Sequence, residues 1–397
     1  MNRQQHLKSS SLNNSEPLLL VVDAGTTNIK AFLFDTNANI VAQVREPART
    51  MQPMPGWVEQ NPQELFEQTV NIIRRVGKGQ ESRIIAVGLT GQRESVVLWD
   101  STTGQPLYPV INWQDTRTSD MCRDLNHVPA HRQLVRERTG LSIAPQFSAS
   151  KIRWLLTMAR GVGVQCGTLD TWLLYNLTNK QQYATDRTNA ARTLLFNIKT
   201  LSWDDELFAL FGIPQDSLPP VKPSFADFGK LDKTILGFEV PIRVVIGDQQ
   251  ASLYAAGTKP GTLKVTYGTG VFAMKILKEF VLHDEVLTTL AVGDSDERLY
   301  AWEASIAGAA ARVSPLLHKP KELEPVLSQL ALETTALLQP FIDEDTKQII
   351  IDGGMSKDEV LIAKQAAFLE GIRIVRQPLQ EGTAAGVAKF LISRLHL

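Results

Sequence analysis

Apolar positions in this chain fall into two kinds of run. Some are short, unbroken and end in a turn rich in Gly, Thr or Asp; others are longer and recur at helical spacing. Leu18 to Val22 is of the first kind, as buried strands are when both faces are covered. Lys30 to Phe34 predicts its hairpin partner, with Asp23-Ala-Gly-Thr-Thr-Asn28 as the turn, and Ile40 to Glu46 predicts a third strand. Asn61 as N-cap, Pro62 at the first helical position and Glu64 two residues on open a helix that runs to about Val76. Arg83 to Leu89 predicts a buried strand that delivers Thr90-Gly-Gln-Arg-Glu94 at its carboxyl end. Ser95 to Asp100 and Pro109 to Trp113 predict two more strands, the second ending in Trp113-Gln-Asp115. Strand, hairpin, strand, helix, strand is the order of a mixed sheet with a crossover.

The middle of the chain reads as helical, over Ser119–Gly140, Phe147–Met158 and from Gly167 onward. Thr185-Asp-Arg-Thr-Asn-Ala-Ala-Arg192 is dense in hydrogen-bonding groups and fits either a pocket wall or a surface turn. Trp203–Phe211 predicts a short helix. A second α/β unit is expected to begin near Pro241, with Ile242–Ile246 as its first strand, then Gly247-Asp-Gln-Gln250 and a helix from Ala251. Gly261–Tyr267, Gly268-Thr-Gly270 and Val271–Ile276 repeat the strand, Gly/Thr turn, strand pattern seen around Gly25. Strands over Leu299–Ala304, Gln348–Asp352 and Ile372–Val375 alternate with helices over Lys319–Leu338, Ser356–Leu369 and Thr383–Leu395. The expected division is a polar tail over 1–17, a first domain over 18–240 and a second over 241–397.

Composition is ordinary for a globular protein: 43% hydrophobic, 21% charged, formal net charge −1. That balance supplies no overall field toward nucleic acid or a membrane surface, and neither is an expected partner. No apolar run reaches the ~20 residues a membrane helix needs, and Met1–Pro17 lacks the apolar core of a secretory signal. Cys122 and Cys166 are expected as buried free thiols, and the cytosol as the compartment. The six histidines show no metal-ligand spacing.

The chemistry gathers at the strand ends. Gly25 permits a sharp turn, and Thr26, Thr27 and Asn28 offer donors to an anion. Asp23 ends a buried strand, where a carboxylate needs a partner; a hydrated Mg²⁺ beside a nucleotide phosphate would serve. The same stretch also fits an ordinary glycine-centred hairpin with a capped Asp. Gln92, Arg93, Glu94, Trp113 and Asp115 are expected to converge as a donor fork, carboxylates, an amide and an aromatic wall, which suit a polyhydroxy ligand. A plain salt bridge between Arg93 and Asp115 is the competing reading. Two Gly/Thr elbows with Asp248 between them can grip a run of phosphates from both sides.

With these residues in hand, the chain resembles the FGGY carbohydrate kinases, within the actin and hexokinase superfamily, over nearly everything from Leu18 onward. Asp23-Ala-Gly-Thr-Thr resembles the first phosphate motif, and Thr266-Tyr-Gly-Thr-Gly270 the second. Thr90-Gly-Gln-Arg-Glu94 and Asn112-Trp-Gln-Asp115 resemble the polyol-binding segments. Gly247-Asp-Gln-Gln-Ala251 resembles the catalytic motif and Asp352-Gly-Gly354 the adenosine motif. The resemblance implies an α/β fold of two actin/hexokinase-like (ribonuclease H-like) domains with a ligand cleft between them. It implies phosphorylation of a hydroxyl on a small polyol or sugar, glycerol-like or a ketopentose, with ATP and Mg²⁺. Asp248 would be the general base. Gln92, Arg93, Glu94, Asp248 and Gln249 would bind substrate hydroxyls, with Trp113 and Phe272 flanking its carbons. Gly25, Thr26, Thr27, Lys30, Gly268, Thr269 and Gly270 would hold phosphates, with Mg²⁺ near Asp23. Gly353, Gly354 and Asp358 would lie along the adenosine.

The chain also departs from that pattern. Glycerol-phosphorylating members place a Tyr at the position of Gln146, which points to a different or larger acceptor. Asp358 stands where Asn is usual. Arg312 to Lys347 is shorter than the segment the family carries there, which leaves fewer walls around ATP. A catalytically weak sugar- or nucleotide-binding sensor is therefore the alternative, and an actin-like or chaperone ATPase a remoter one. A homo-oligomer is compatible with the sequence.

Overall fold

A computed structural model describes residues 16–159, 163–295, 297–379 and 381–397; most of the expected N-terminal tail lies outside them. Two six-stranded sheets dominate, and they are built the same way. In the first, the buried strand Leu18–Ala24 pairs antiparallel with Asn28–Phe34, which pairs antiparallel with Ile40–Pro47. On its other side Leu18–Ala24 runs parallel to the crossover strand Ile84–Gly91. In the second sheet Leu263–Tyr267 takes the central place, antiparallel to Val271–Leu277 and parallel to Gln348–Asp352. Leu299–Ile306 and Leu287–Ala291 extend one edge and Arg373–Arg376 the other. The α/β class and the paired Gly/Thr hairpins are as expected.

The first sheet is covered on both faces, which is why its central strands are apolar without alternation. One face packs under the helix Pro62–Gly77, through Leu65, Ile72, Ile73 and Val76, and under the helix Leu169–Leu177. Asn61 caps the first of these, its side chain accepting from the backbone N–H groups of Gln63 and Glu64 at 2.9 and 3.1 Å. The other face takes the closing helix Gly382–Leu395, whose Ala384, Ala385, Val387 and Leu391 bury against Leu19, Val21, Val244 and Ile246. The second sheet has its own core, with Leu327, Leu330 and Ala331 of the helix Pro320–Leu338 and Leu361 of Glu359–Phe368.

The structure corrects several expectations. The strand Val240–Gly247, expected to open the second unit, pairs parallel with Ile84–Gly91 and completes the first sheet. The closing helix also returns to the first sheet, so the sheets do not divide the chain at residue 240. Parallel pairing joins strands far apart in sequence, so chain order does not reveal which sheet a strand joins. The expected helix over 119–140 is two helices, Ser119–Asn126 and Pro129–Thr139, because Pro129 cannot continue one and suits the start of another. The strand expected over 109–113 shrinks to Val110–Ile111, since the following residues turn into the site. Val164–Thr168 and Leu287–Ala291 are strands that the pattern did not reveal.

One helix crossing fixes the geometry that matters below. The helix Asp248–Ala256 meets the closing helix backbone to backbone at Gly386, where a Cβ would lie 1.8 Å from the carbonyl oxygen of Ala251. Only glycine permits that approach. Gly386→Ala is expected to push the helices apart and lower stability by about 1–3 kcal/mol, read as the urea midpoint. An unchanged midpoint would contradict this packing.

Candidate active site

The strand Val240–Gly247 ends beneath the cleft and hands Asp248 to the first turn of its helix. The strand end is braced by the polar segment 185–192, which is buried. The Gly247 N–H donates to Thr188 Oγ1 at 2.8 Å, and that hydroxyl donates to Asp186 at 2.7 Å. The segment is thus a buried brace behind the site rather than a surface turn. Beside the strand Val240–Gly247, its parallel neighbour Ile84–Gly91 delivers Gln92, Arg93 and Glu94. Glu94 has φ +66°, a costly backbone for a non-glycine residue, held by Ser148 Oγ donating to its carbonyl at 3.1 Å.

A buried charge cluster follows. The Arg93 fork is bidentate to Glu303, Nη1 to Oε2 at 2.9 Å and Nη2 to Oε1 at 2.8 Å. Its Nε lies 3.3 Å from Asp248 Oδ1. Arg192, fully buried, donates from Nε to Glu94 at 2.6 Å and from Nη2 to Glu303 at 3.0 Å. Burial alone would raise the Glu303 carboxyl, but Arg192 and Arg93 outweigh it and hold it down to about 2. Asp248 goes the other way. Burial pushes it up to about 7, opposed by Arg93 and reinforced by Glu94 and Asp23. Its side chain keeps 28% of its surface open to the cleft, so water screens part of that cost.

All eight residues expected to bind substrate line one cavity of about 70 Å³, together with Thr26 and Thr269. Their roles separate by what their polar atoms already do. Trp113 Nε1 donates to Thr26 Oγ1 at 2.8 Å, and that hydroxyl donates to Gln92 Oε1 at 3.1 Å. Gln92 Oε1 also accepts from Asn112 at 2.8 Å, and its amide nitrogen donates to Gln60 at 2.7 Å. Gln92 and the Thr26 hydroxyl are therefore spent on fixing the Trp113 wall, not free for a ligand. The side-chain amides of Gln146 and Gln249 and the second oxygens of Glu94 and Asp248 carry no hydrogen bond among the described residues. They are the groups left to pair with hydroxyls. Asp115 neither joins them nor bridges to Arg93. It accepts from the Val58 N–H at 2.6 Å and pairs with Arg117, whose guanidinium lies 3.7 Å from the Trp57 ring centroid. It braces the Trp113 loop from behind.

The two Gly/Thr elbows face the same cavity through Thr26 and Thr269, and Thr27 and Thr269 are exposed at their tips. Asp23, at the end of its strand, is 8% exposed and pushed up to about 6 by burial; Lys30 opposes this and Glu381 adds to it. Lys30 sits 3.9 Å from Asp23 but donates to Glu381 at 2.6 Å, so its charge is largely spent there rather than waiting for phosphate. A cleft-side carboxylate this poorly compensated fits a hydrated divalent cation. Gly353 has φ +88°, and a Cβ there would lie 2.4 Å from the Tyr267 carbonyl oxygen, so packing against the neighbouring strand demands it. The Gly354 face is open. Asp358 caps the helix Glu359–Phe368, accepting from the Leu361 N–H at 2.9 Å.

Sequence reasoning missed Arg192, Glu303 and Lys264. Lys264 is buried, donates to Ser252 Oγ at 2.6 Å and lies 3.1 Å from Asp352, which ties the Asp248 helix to the second sheet. The available signal was a lone charge within each apolar strand: Glu303 within Leu299–Ile306 and Lys264 within Leu263–Tyr267.

Each lobe thus presents a Gly/Thr elbow to one cavity, with the strand-end carboxylate Asp248 between them. The chain belongs to the FGGY family of carbohydrate kinases: residues 18–255 match that family's N-terminal domain. It is 41% identical over 312 residues to the glycerol kinase of Rippkaea orientalis, covering 75% of this chain. It is likewise 41% identical over 317 residues to that of Aquifex aeolicus, covering 77%. The chain spans about three fifths of the length of these relatives, 62% and 63%. Against the glycerol kinase of Borreliella afzelii it is 34% identical over 441 aligned positions, covering 93% of this chain and 88% of the relative. That span exceeds the 397 residues of this chain, so the relative carries internal segments absent here. Among solved structures, Plasmodium falciparum glycerol kinase with ADP superposes with a TM-score of 0.87 at 26% identity, covering 96% of this chain and 90% of that one. A xylulose kinase from Lactobacillus acidophilus shares the fold, with a TM-score of 0.82 at 18% identity, covering 95% and 89%.

Two outcomes follow from the charges. Arg192→Leu leaves Glu94 and Glu303 short of a buried counterion and is expected to cost about 3–5 kcal/mol, measured by urea unfolding. Asp23 and Asp248 hold their protons more tightly folded than unfolded, so the stability they contribute is lost as pH rises from about 4 through 7. Asp248→Asn should therefore flatten the pH dependence of the thermal midpoint in that window and raise the midpoint of the ligand-free protein at pH 8.

Proposed function

We propose that this protein phosphorylates a hydroxyl of a small polyol or sugar using ATP. The observation that carries the reading is the single cavity in which Asp248, Glu94, Gln249, Gln146, Trp113 and Phe272 meet, bordered by both Gly/Thr elbows. Asp248 is poised as general base: its carboxyl, pushed up to about 7, accepts a proton near neutral pH as the acceptor oxygen attacks. Glu94 and the Gln249 and Gln146 amides orient the acceptor hydroxyls, and Trp113 and Phe272 cover its carbon-bound hydrogens. Thr27 and Thr269 offer backbone and hydroxyl donors to the phosphates of the nucleotide, and Asp23 would face a hydrated Mg²⁺. The nucleotide supplies the phosphoryl group, and the cation neutralises its charge. The residues of this chain position the reacting groups.

Both sheets serve both sides of the reaction. The first carries Asp248, Glu94 and the elbow with Asp23 and Thr27. The second carries Phe272 on the acceptor side and Thr269 and the open Gly354 face on the donor side. The two buried free cysteines suit a reducing compartment, in keeping with a cytosolic enzyme. The internal segments lacking relative to longer kinases favour a second reading, a sensor with weak turnover. The intact base and its charge cluster favour the enzyme, since binding alone has no use for a carboxyl tuned to neutral pH.

The test is ADP release from MgATP across glycerol, pentitols, ketopentoses and aldoses. At least one acceptor should accelerate release, and Asp248→Asn should reduce that rate by about 10²–10⁴-fold while calorimetry finds ADP binding unchanged. Undiminished turnover by Asp248→Asn would remove the assigned base. Acceptor-induced thermal shifts without turnover on any compound would establish the sensor instead.

A further inference from the structure

Glu303 is the member of the charge cluster that comes from the second sheet. Arg93, Glu94, Arg192 and Asp248 all belong to the first lobe, and Glu303 reaches them from the strand Leu299–Ile306. Two guanidiniums therefore serve three carboxylates, and how Arg93 divides its donors decides the state of Asp248. Its Nη1 and Nη2 edge, the one that matches a carboxylate bidentately, points at Glu303. Asp248 receives only the single Nε side at 3.3 Å. Arg192 keeps Glu303 in that position at 3.0 Å and is itself anchored by Glu94 and by the Phe147 ring, 5.1 Å from its guanidinium carbon.

We propose that Glu303 is a positioning residue: carried in from the second lobe, it holds the Arg93 fork off Asp248 and leaves that carboxylate free to take a proton from the acceptor. Without Glu303, nothing else among the described residues claims the fork except the Gln250 amide oxygen at 3.3 Å. The fork would then turn to Asp248 and form a bidentate pair. A carboxylate so paired is a weak base. The charged groups facing Asp248 are Arg93, Glu94 and Asp23; those facing Arg93 are Glu303, Glu94 and Asp248. Burial pushes Asp248 up to about 7 even though Arg93 opposes it, and the Arg93 fork itself is spent on Glu303. The arrangement also makes the base depend on the lobes being together, because its setting residue lies on the other sheet.

The role of Asp248 as base rests on the function proposed above; the placement of Arg93 does not, and the experiment separates the two. The carboxyl of Asp248 is titrated by ¹³C NMR in the ligand-free full chain, its signal assigned by its loss in Asp248→Asn. In Glu303→Gln the titration should move down by about one pH unit or more. The acid limb of kcat/KM should move with it, and kcat should fall about tenfold while KM for ATP changes little. A lower thermal midpoint with both titrations unmoved would mean a merely structural role and overturn the proposal. Should Glu303→Gln not fold, Glu303→Asp serves: the retracted carboxylate loosens its grip on Arg93, and the titration falls by a smaller amount, whereas no fall overturns it. If the wild-type protein phosphorylates nothing, the NMR titration still decides the placement of Arg93, and the kinase reading fails by itself.

Discussion

Two arginines buried among three carboxylates hold this site together, and the rest of the molecule is arranged to make that burial tolerable. An isolated buried charge is costly enough that it would neutralise or drag water in after it. Here Arg93 and Arg192 hydrogen-bond the carboxylates directly, and Glu303 accepts from both. The attraction exceeds the desolvation cost for Glu303 and falls short of it for Asp248. Two acids within one cluster are thereby driven in opposite directions, one fixed as an anion and one left able to exchange a proton near neutral pH. That separation of roles is what acid–base chemistry requires of an active site.

The scaffold explains how such a cluster can be assembled. Each sheet presents strand ends to the cleft, and each central hairpin turns there through Gly and Thr. The carboxyl ends of parallel strands are where open sheets leave room for ligands. The Asp248 helix is clamped by Gly386 of the closing helix and tied through Ser252 and Lys264 to the second sheet. Rigid support of this kind places Asp248 without help from a loop. The aromatic wall is supported in the same way: Asn112, Gln92, Gln60 and Thr26 share hydrogen bonds behind Trp113, and Asp115 with Arg117 props the loop from the outer side.

The Asp248 and Trp113 end of the cleft is therefore stiff, whereas the Gly354 end is more open. Gly354 keeps an open face, Asp358 is occupied as a helix cap, and Lys30 is paired with Glu381. On the function proposed above, the hold on a nucleotide would rest mainly on backbone groups at the elbows and on Asp23. Such contacts position phosphates well but supply few walls around a base and ribose.

Much of this could be read from residue order. Unbroken apolar runs ending in Gly/Thr turns announced both central hairpins, because a strand covered on both faces cannot alternate. The Asn61-Pro62-Glu64 start announced its helix through local capping, and the motifs at Asp23, Arg93, Asp248 and Gly353 implied the cleft through their resemblance to the FGGY kinases. What residue order did not contain was partnership across long separations. It could not assign strand 240–247 to the first sheet, send the closing helix back across it, or pair Arg93 with Glu303 rather than Asp115. Nor could it tell that Gln92 is consumed in supporting Trp113. Periodicity and turn chemistry act over a few residues and are written in the chain. The partner of a buried charge is chosen by which segments the folded core brings within about 3 Å, and that choice is made only once the tertiary structure has formed.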